Sequence, residues 1–265
     1  MNLYFILLSV FFLGIRALAA DHSGSNDFLY NYAIIGSERE AIAPYILPKD
    51  HPIKEELDAI FCSTRVTLNQ QTFRMAGFII KYSQPRSFIR VASHPAIPGY
   101  LVKVYLDSEH RLKRNTEGWV WFVRRIEGVN KIHEYITSIE SKFFVAPKKW
   151  IYPLPINPSI PGTFGYQRKN EILVVEDMRL VSKEKSTKAW KTKITKDHLD
   201  ELYGILYYAG GNSYRPDNIA YTEEGKFAFI DTEYSYIYRS SYESIKKYLS
   251  PEMAKYWETK CRKGK

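Results

Sequence analysis

The hairpin expected over Ile219–Ile230, turning on Thr222-Glu223-Glu224-Gly225, constrains this chain more than any other stretch. The alternating run Phe227-Ala228-Phe229-Ile230 reads as a strand with one buried face. A hairpin brings its two ends together, so Asn218 and Asp231, thirteen positions apart, fall side by side. Their oxygens form a hard-ligand pair suited to a magnesium ion on phosphates. Each also has a plain structural explanation: Asn218 follows Pro216-Asp217 in a tight turn, and a carboxylate leaving an apolar strand can cap a turn.

The pattern before this hairpin is strands, helix, strands, helix. Gly77–Tyr82, Ser87–Ala92 and Tyr100–Leu106 are short β-rich runs separated by turns, the spacing of an antiparallel meander. Phe122, Ile126, Val129, Ile136 and Ile139 lie on one helical stripe within Trp119–Ile139. Phe143–Val145 and Ile172–Val175 are further strands, split by a Pro-rich insertion at Pro153–Gly165. Asp197–Tyr208 is a second amphipathic helix, with Thr195 as its N-cap and Gly210-Gly211 as its stop. His51–Phe61 is a short helix behind Pro52, and about thirty residues after Glu233 have room for one or two more. The fold class is therefore α+β, a sheet lobe followed by a small helical lobe.

Three more features bear on chemistry. Lys103 interrupts Leu101-Val102-Lys103-Val104-Tyr105; a buried ammonium there needs a partner, whereas a strand with one wet face would leave it in solvent. Glu127 on the following helix is the better-placed carboxylate and Glu134 the next, although both also suit a solvated helix face. Val174-Val175-Glu176-Asp177-Met178 ends a buried run, where backbone groups could read an adenine edge or simply end a strand.

In this order, Lys103, a helix with a Glu, VVEDM, RPDN and FIDTE resemble the protein-kinase-like superfamily over Phe73 to Glu233. RPDNIAYTEEGKFAFID is similar to that family's KPENIL…IDFG stretch. The resemblance implies an N-terminal antiparallel β lobe with one helix and a reduced helical C-terminal lobe. It implies Lys103 on the α/β-phosphates of ATP, paired with Glu127. Glu176, Asp177 and Met178 would form the adenine hinge, and Asn218 and Asp231 would hold magnesium. Arg215 stands where the family usually has Lys, and Ser213 where it has the catalytic Asp. A hydroxyl has no useful basicity near neutral pH, so Ser213 cannot accept a substrate proton. The loop Tyr82–Arg86 lacks glycine, Gly211-Asn212 replaces His-Arg, and Thr232-Glu233 replaces Phe-Gly. The expectation is a catalytically impaired domain that still holds ATP and magnesium or serves as an interaction module for a protein partner. The alternatives are an active atypical phosphotransferase or nucleotidyltransferase, and a scaffold that binds no nucleotide.

At 265 residues, 45% hydrophobic and 15% aromatic, the chain has enough apolar surface for a real core. Its net charge of +9 is scattered over Arg111–Arg114, Lys183–Lys196 and Lys260–Lys265. That suits a solvated surface or a cationic face for phosphates or an anionic membrane. No basic helix or zinc-finger spacing points to nucleic acid. Leu3–Ile15, followed by Arg16 and Ala17-Leu18-Ala19-Ala20, reads as an export signal, so the mature chain is expected to be secreted or periplasmic and not membrane-spanning. Cys62 and Cys261 would then pair or remain separate thiols. The expected boundaries are 1–20 for the signal, 21–72 for a linker and helical extension, 73–178 for the sheet lobe and 179–265 for the helical lobe.

Overall fold

The computed structural model describes residues 34, 36–83, 88–158, 165–210, 215–233 and 243–263. The expected export signal and Gly211, Asn212 and Ser213 lie outside these residues, as do 84–86 of the first turn. Within the described residues the chain is α+β. Strands β1 (Ile79–Ser83), β2 (Arg90–Ser93) and β3 (Tyr100–Val104) form an antiparallel meander. Strand β5 (Lys149–Pro153) and strand β6 (Glu171–Glu176) extend it to five strands in the order β1-β2-β3-β6-β5, antiparallel throughout. A second sheet joins the two-residue β4 (Phe144–Val145), parallel, to β8 (Phe227–Phe229), which forms the expected hairpin with β7 (Ile219–Tyr221).

Because side chains alternate across a strand, the five-stranded sheet has two distinct faces. Val102, Val104, Ile172 and Val174 share one core with Leu57 and Phe61 of helix α2 (Lys54–Cys62) and Phe73 of helix α3 (Gln70–Met75). Asn69 caps α3, its side chain accepting from the Gln71 and Thr72 amides. Ile151, Leu173 and Val175 turn the other way, onto Phe122 and Ile126 of helix α4 (Gly118–Ser138). Parity places Lys103 and Lys149 on this second face as well.

Helix α4 continues past the sheet. Its Val129 and Ile132 join a third core with Trp190 of α5 (Lys183–Thr192) and Leu199, Leu202 and Leu206 of α6 (Lys196–Ala209). Phe227 and Phe229 of the hairpin complete this core with Trp257 of the C-terminal helix α8 (Pro251–Lys263), which follows the one-turn α7 (Glu243–Lys246). Thr195 caps α6 in a capping box with His198, and Gly210 ends the helix at φ 65°, in the left-handed region. Gly204 lets α6 approach α4 closely: a Cβ there would collide with the Tyr135 hydroxyl.

Several elements differ from the sequence-based expectation. Residues read as a linker contain helix α1 (Gly36–Ile42), whose Ile42 is fully buried. Strand β5 was hidden by its Lys149 and Pro153, and α5 by its run of basic residues. Ile139, placed on the apolar stripe of α4, is 37% exposed past the helix end. Cys62 and Cys261 are separate thiols. No helix among the described residues is long and apolar enough to cross a membrane.

Two buried charge arrangements support the sheet half. Arg65 Nε donates to Asp107 Oδ2 at 2.7 Å with side chains 7% and 0% exposed, and the Lys169 amide donates to Asp107 Oδ1 at 2.8 Å. Glu171 on β6 shares a hydrogen bond with Glu38 on α1. Burial, then the Glu38 charge, pushes Glu171 well above the usual carboxylate range. Burial raises Glu38 too.

Candidate functional site

Four consecutive residues leaving β8 are tied to the rest of the fold through four cationic side chains, Lys103, Lys113, Arg125 and Lys149. The Lys103 ammonium on β3 donates to the Ile230 carbonyl at 3.1 Å. Arg125 on α4 donates from Nε to Asp231 Oδ1 at 3.0 Å and from Nη2 to Glu233 Oε1 at 2.8 Å. Lys149 on β5 donates to Thr232 Oγ1 at 2.7 Å, and that hydroxyl donates onward to the Arg125 carbonyl at 2.7 Å. Lys113, its ammonium 4.2 Å from the Trp121 ring centre, also pairs with Glu233.

The hairpin explains why these residues meet. Ile219 pairs with Phe229, and the Ile230 amide donates to the Asn218 carbonyl at 2.9 Å, which sets Asn218 beside Asp231. Lys103 and Lys149 face α4 because both lie on the sheet face that α4 covers. Arg125 sits three residues after Phe122 and four before Val129, inside the apolar stripe, and therefore points inward with them.

Electrostatics follow from this crowding. Burial pushes Lys103 below its ordinary pKa, with the Asp231 charge offsetting part of the shift. Burial, reinforced by the Lys103 charge, pushes Lys149 well below. Burial opposes the charge on Arg125, yet Asp231, Tyr105 and Glu233 outweigh it and hold the guanidinium above its ordinary value. Burial would likewise raise Asp231, but Arg125 and Lys103 outweigh it and hold the carboxyl well below the usual range. Among the described residues, Lys103, Lys113, Arg125 and Lys149 thus face two carboxylates, Asp231 and Glu233. A divalent cation added beside Asp231 would meet strong repulsion and would compete with Arg125 for that carboxylate.

Lys103, Asn218 and Asp231 are brought together; the remaining residues read from the sequence are not. Glu127 is no partner of Lys103: it accepts from the Tyr45 hydroxyl at 3.3 Å. Two helical positions turn the side chain by about 200°, so with Arg125 inward Glu127 faces elsewhere. Glu134 lies further along, bonded to the Tyr208 hydroxyl. Glu176 accepts from the Lys148 amide at 2.7 Å, and the Asp177 amide donates to the Gly99 carbonyl at 2.8 Å. Asp177 and Met178 line a cleft of about 290 Å³ with Val145, Thr222 and Lys226, and none of Lys103, Asn218 or Asp231 borders it. Arg215 is exposed, its carbonyl accepting from the Asn218 amide at 2.7 Å. Ser213 is outside the described residues.

Sequence reasoning missed Arg125, Lys149 and Lys113 and gave no site role to Thr232 or Glu233. Arg125 left a signal, a cation within an apolar helical stripe. Lys149 left none, since Lys148-Lys149 reads as solvated surface. No family model and no curated protein matches the chain.

Proposed function

We propose that this chain is an exported, kinase-like binding domain that holds a nucleotide through Lys103 and the Asp231 segment without transferring its phosphate. The observation that carries this reading is the Arg125–Asp231 ion pair beside Lys103. It keeps a phosphate-binding lysine and an acidic segment together while engaging the carboxylate that phosphotransfer would need for its metal. Two further points support it. The strand order β1-β2-β3-β6-β5, with α4 crossing between β3 and β4, suits a sheet lobe above a nucleotide. Ser213 supplies no base.

Thermal melts of the mature chain with millimolar ATP and magnesium, alongside transfer assays with γ- and α-labelled ATP, test this reading. The expected result is a rise in melting temperature with no label transferred. A flat melt would remove nucleotide binding and leave the scaffold alternative. Transfer that disappears in Asp231→Ala would establish an active phosphotransferase or nucleotidyltransferase instead.

A further inference from the structure

We propose that the Arg125 guanidinium stands in for a divalent cation at Asp231, so that the site takes the polyphosphate of its ligand in metal-free form. This rests on the nucleotide-binding reading above and deepens it by naming the ionic form that is bound.

Three observations carry the inference. First, the acidic side chains are already matched: Arg125 binds Asp231 at 3.0 Å and Glu233 at 2.8 Å, and Lys113 also pairs with Glu233. Second, cations outnumber carboxylates in the cluster even with Lys149 left aside: Lys103, Lys113 and Arg125 face Asp231 and Glu233, and Lys103 spends its hydrogen bond on a neutral oxygen, the Ile230 carbonyl. A partly desolvated cluster with excess positive charge attracts an anion and repels a metal ion. Third, Arg125 is only 3% exposed, and its Nη1 is buried with no hydrogen-bond partner among the described residues. Tyr105, whose buried hydroxyl likewise makes no well-aligned hydrogen bond, lies against the same guanidinium. Buried donors left unmatched are costly, and a phosphate oxygen is the kind of acceptor a guanidinium meets best.

Magnesium neutralises part of the charge on ATP that Lys103 and Arg125 would meet. Removing it should therefore strengthen binding, the reverse of a metal-dependent site. Isothermal titration of the mature chain with ATP in EDTA, and again with excess magnesium chloride, reads this directly. The expected result is affinity at least about threefold tighter in EDTA. Binding only with magnesium would overturn the inference while leaving the nucleotide-binding reading intact. No binding in either buffer would remove both. The Arg125→Met variant adds a second readout: affinity in EDTA should fall at least about tenfold, a loss of one charge-assisted contact. Unchanged affinity in a folded Arg125→Met protein would also overturn it, and the comparison on the unaltered chain stands even if the variant does not fold.

Discussion

Lys149, 4% exposed, donates to the Thr232 hydroxyl at 2.7 Å, while the Lys103 charge bears on it from the same sheet face. A lysine whose folded pKa lies below its unfolded one binds fewer protons when folded. Stability therefore rises with pH from the lowered value up to the ordinary lysine range. Lys149→Met should flatten this rise between neutral pH and about pH 10. Melting temperatures across that range check it; an unchanged slope in the variant would show that burial does not lower the Lys149 ammonium.

Asp231 behaves with the opposite sign. Its pKa is held below the usual carboxylate range, so its contribution is complete above the unfolded value of about 4 and is lost as pH falls through the lowered one. Arg125→Met should shrink that acid limb and cost about 1–3 kcal/mol at neutral pH. The figure is below that for a fully enclosed pair because the Asp231 side chain remains 33% exposed. Urea melts between pH 3 and about pH 7 would measure both effects.

The Glu38–Glu171 pair opposes stability as pH rises. Glu171 binds its proton more tightly when folded, so stability falls as pH climbs from about 4.3 through the raised value. Glu171→Gln keeps a hydrogen-bonding group without the charge and should melt higher than the natural chain at pH 8. Equal melting temperatures there would mean that the carboxyl finds a compensating cation.

Asp107 is different again, a carboxylate fully enclosed by Arg65, Thr67 and the Lys169 amide. Asp107→Ala leaves Arg65 buried without its counter-charge and should cost about 3–5 kcal/mol. Replacing both partners by apolar residues should cost much less, and a double-mutant comparison by urea denaturation separates the two cases.

Gly204 tests the packing of α4 on α6. Gly204→Ala drives a methyl against the Tyr135 hydroxyl and ring, and should cost about 1–3 kcal/mol. Tyr135→Phe should return part of that loss in the double variant, since the nearest atom is the hydroxyl oxygen.

The meander, the Thr195-capped helix and the hairpin were legible because each rests on local rules: period-2 alternation, an oxygen cap and a glycine stop. The adjacency of Asn218 and Asp231 was legible too, since hairpin geometry alone sets it, whereas Lys103 reads from the sequence equally as a lysine on a wet strand face. The choice of Glu127 failed because a helix's rotational phase is set by tertiary packing; Phe122, Ile126 and Val129 placed Arg125 inward and carried Glu127 away. Strand β5 failed for another reason. Its Lys149 reads as polar until the Thr232 hydroxyl, eighty-three positions away, supplies a partner. The short helix α1 has weak local signals and is held by Ile42 packing into a core assembled from distant segments.

Helix α4 contributes Phe122 and Ile126 to one core and Val129 and Ile132 to another. One rod thus serves as an axle for both halves, and cutting the gene anywhere near it would strip one product of its hydrophobic lining. Fragments ending before or starting after residues 118–138 would leave both of these cores without the side chains that this helix supplies.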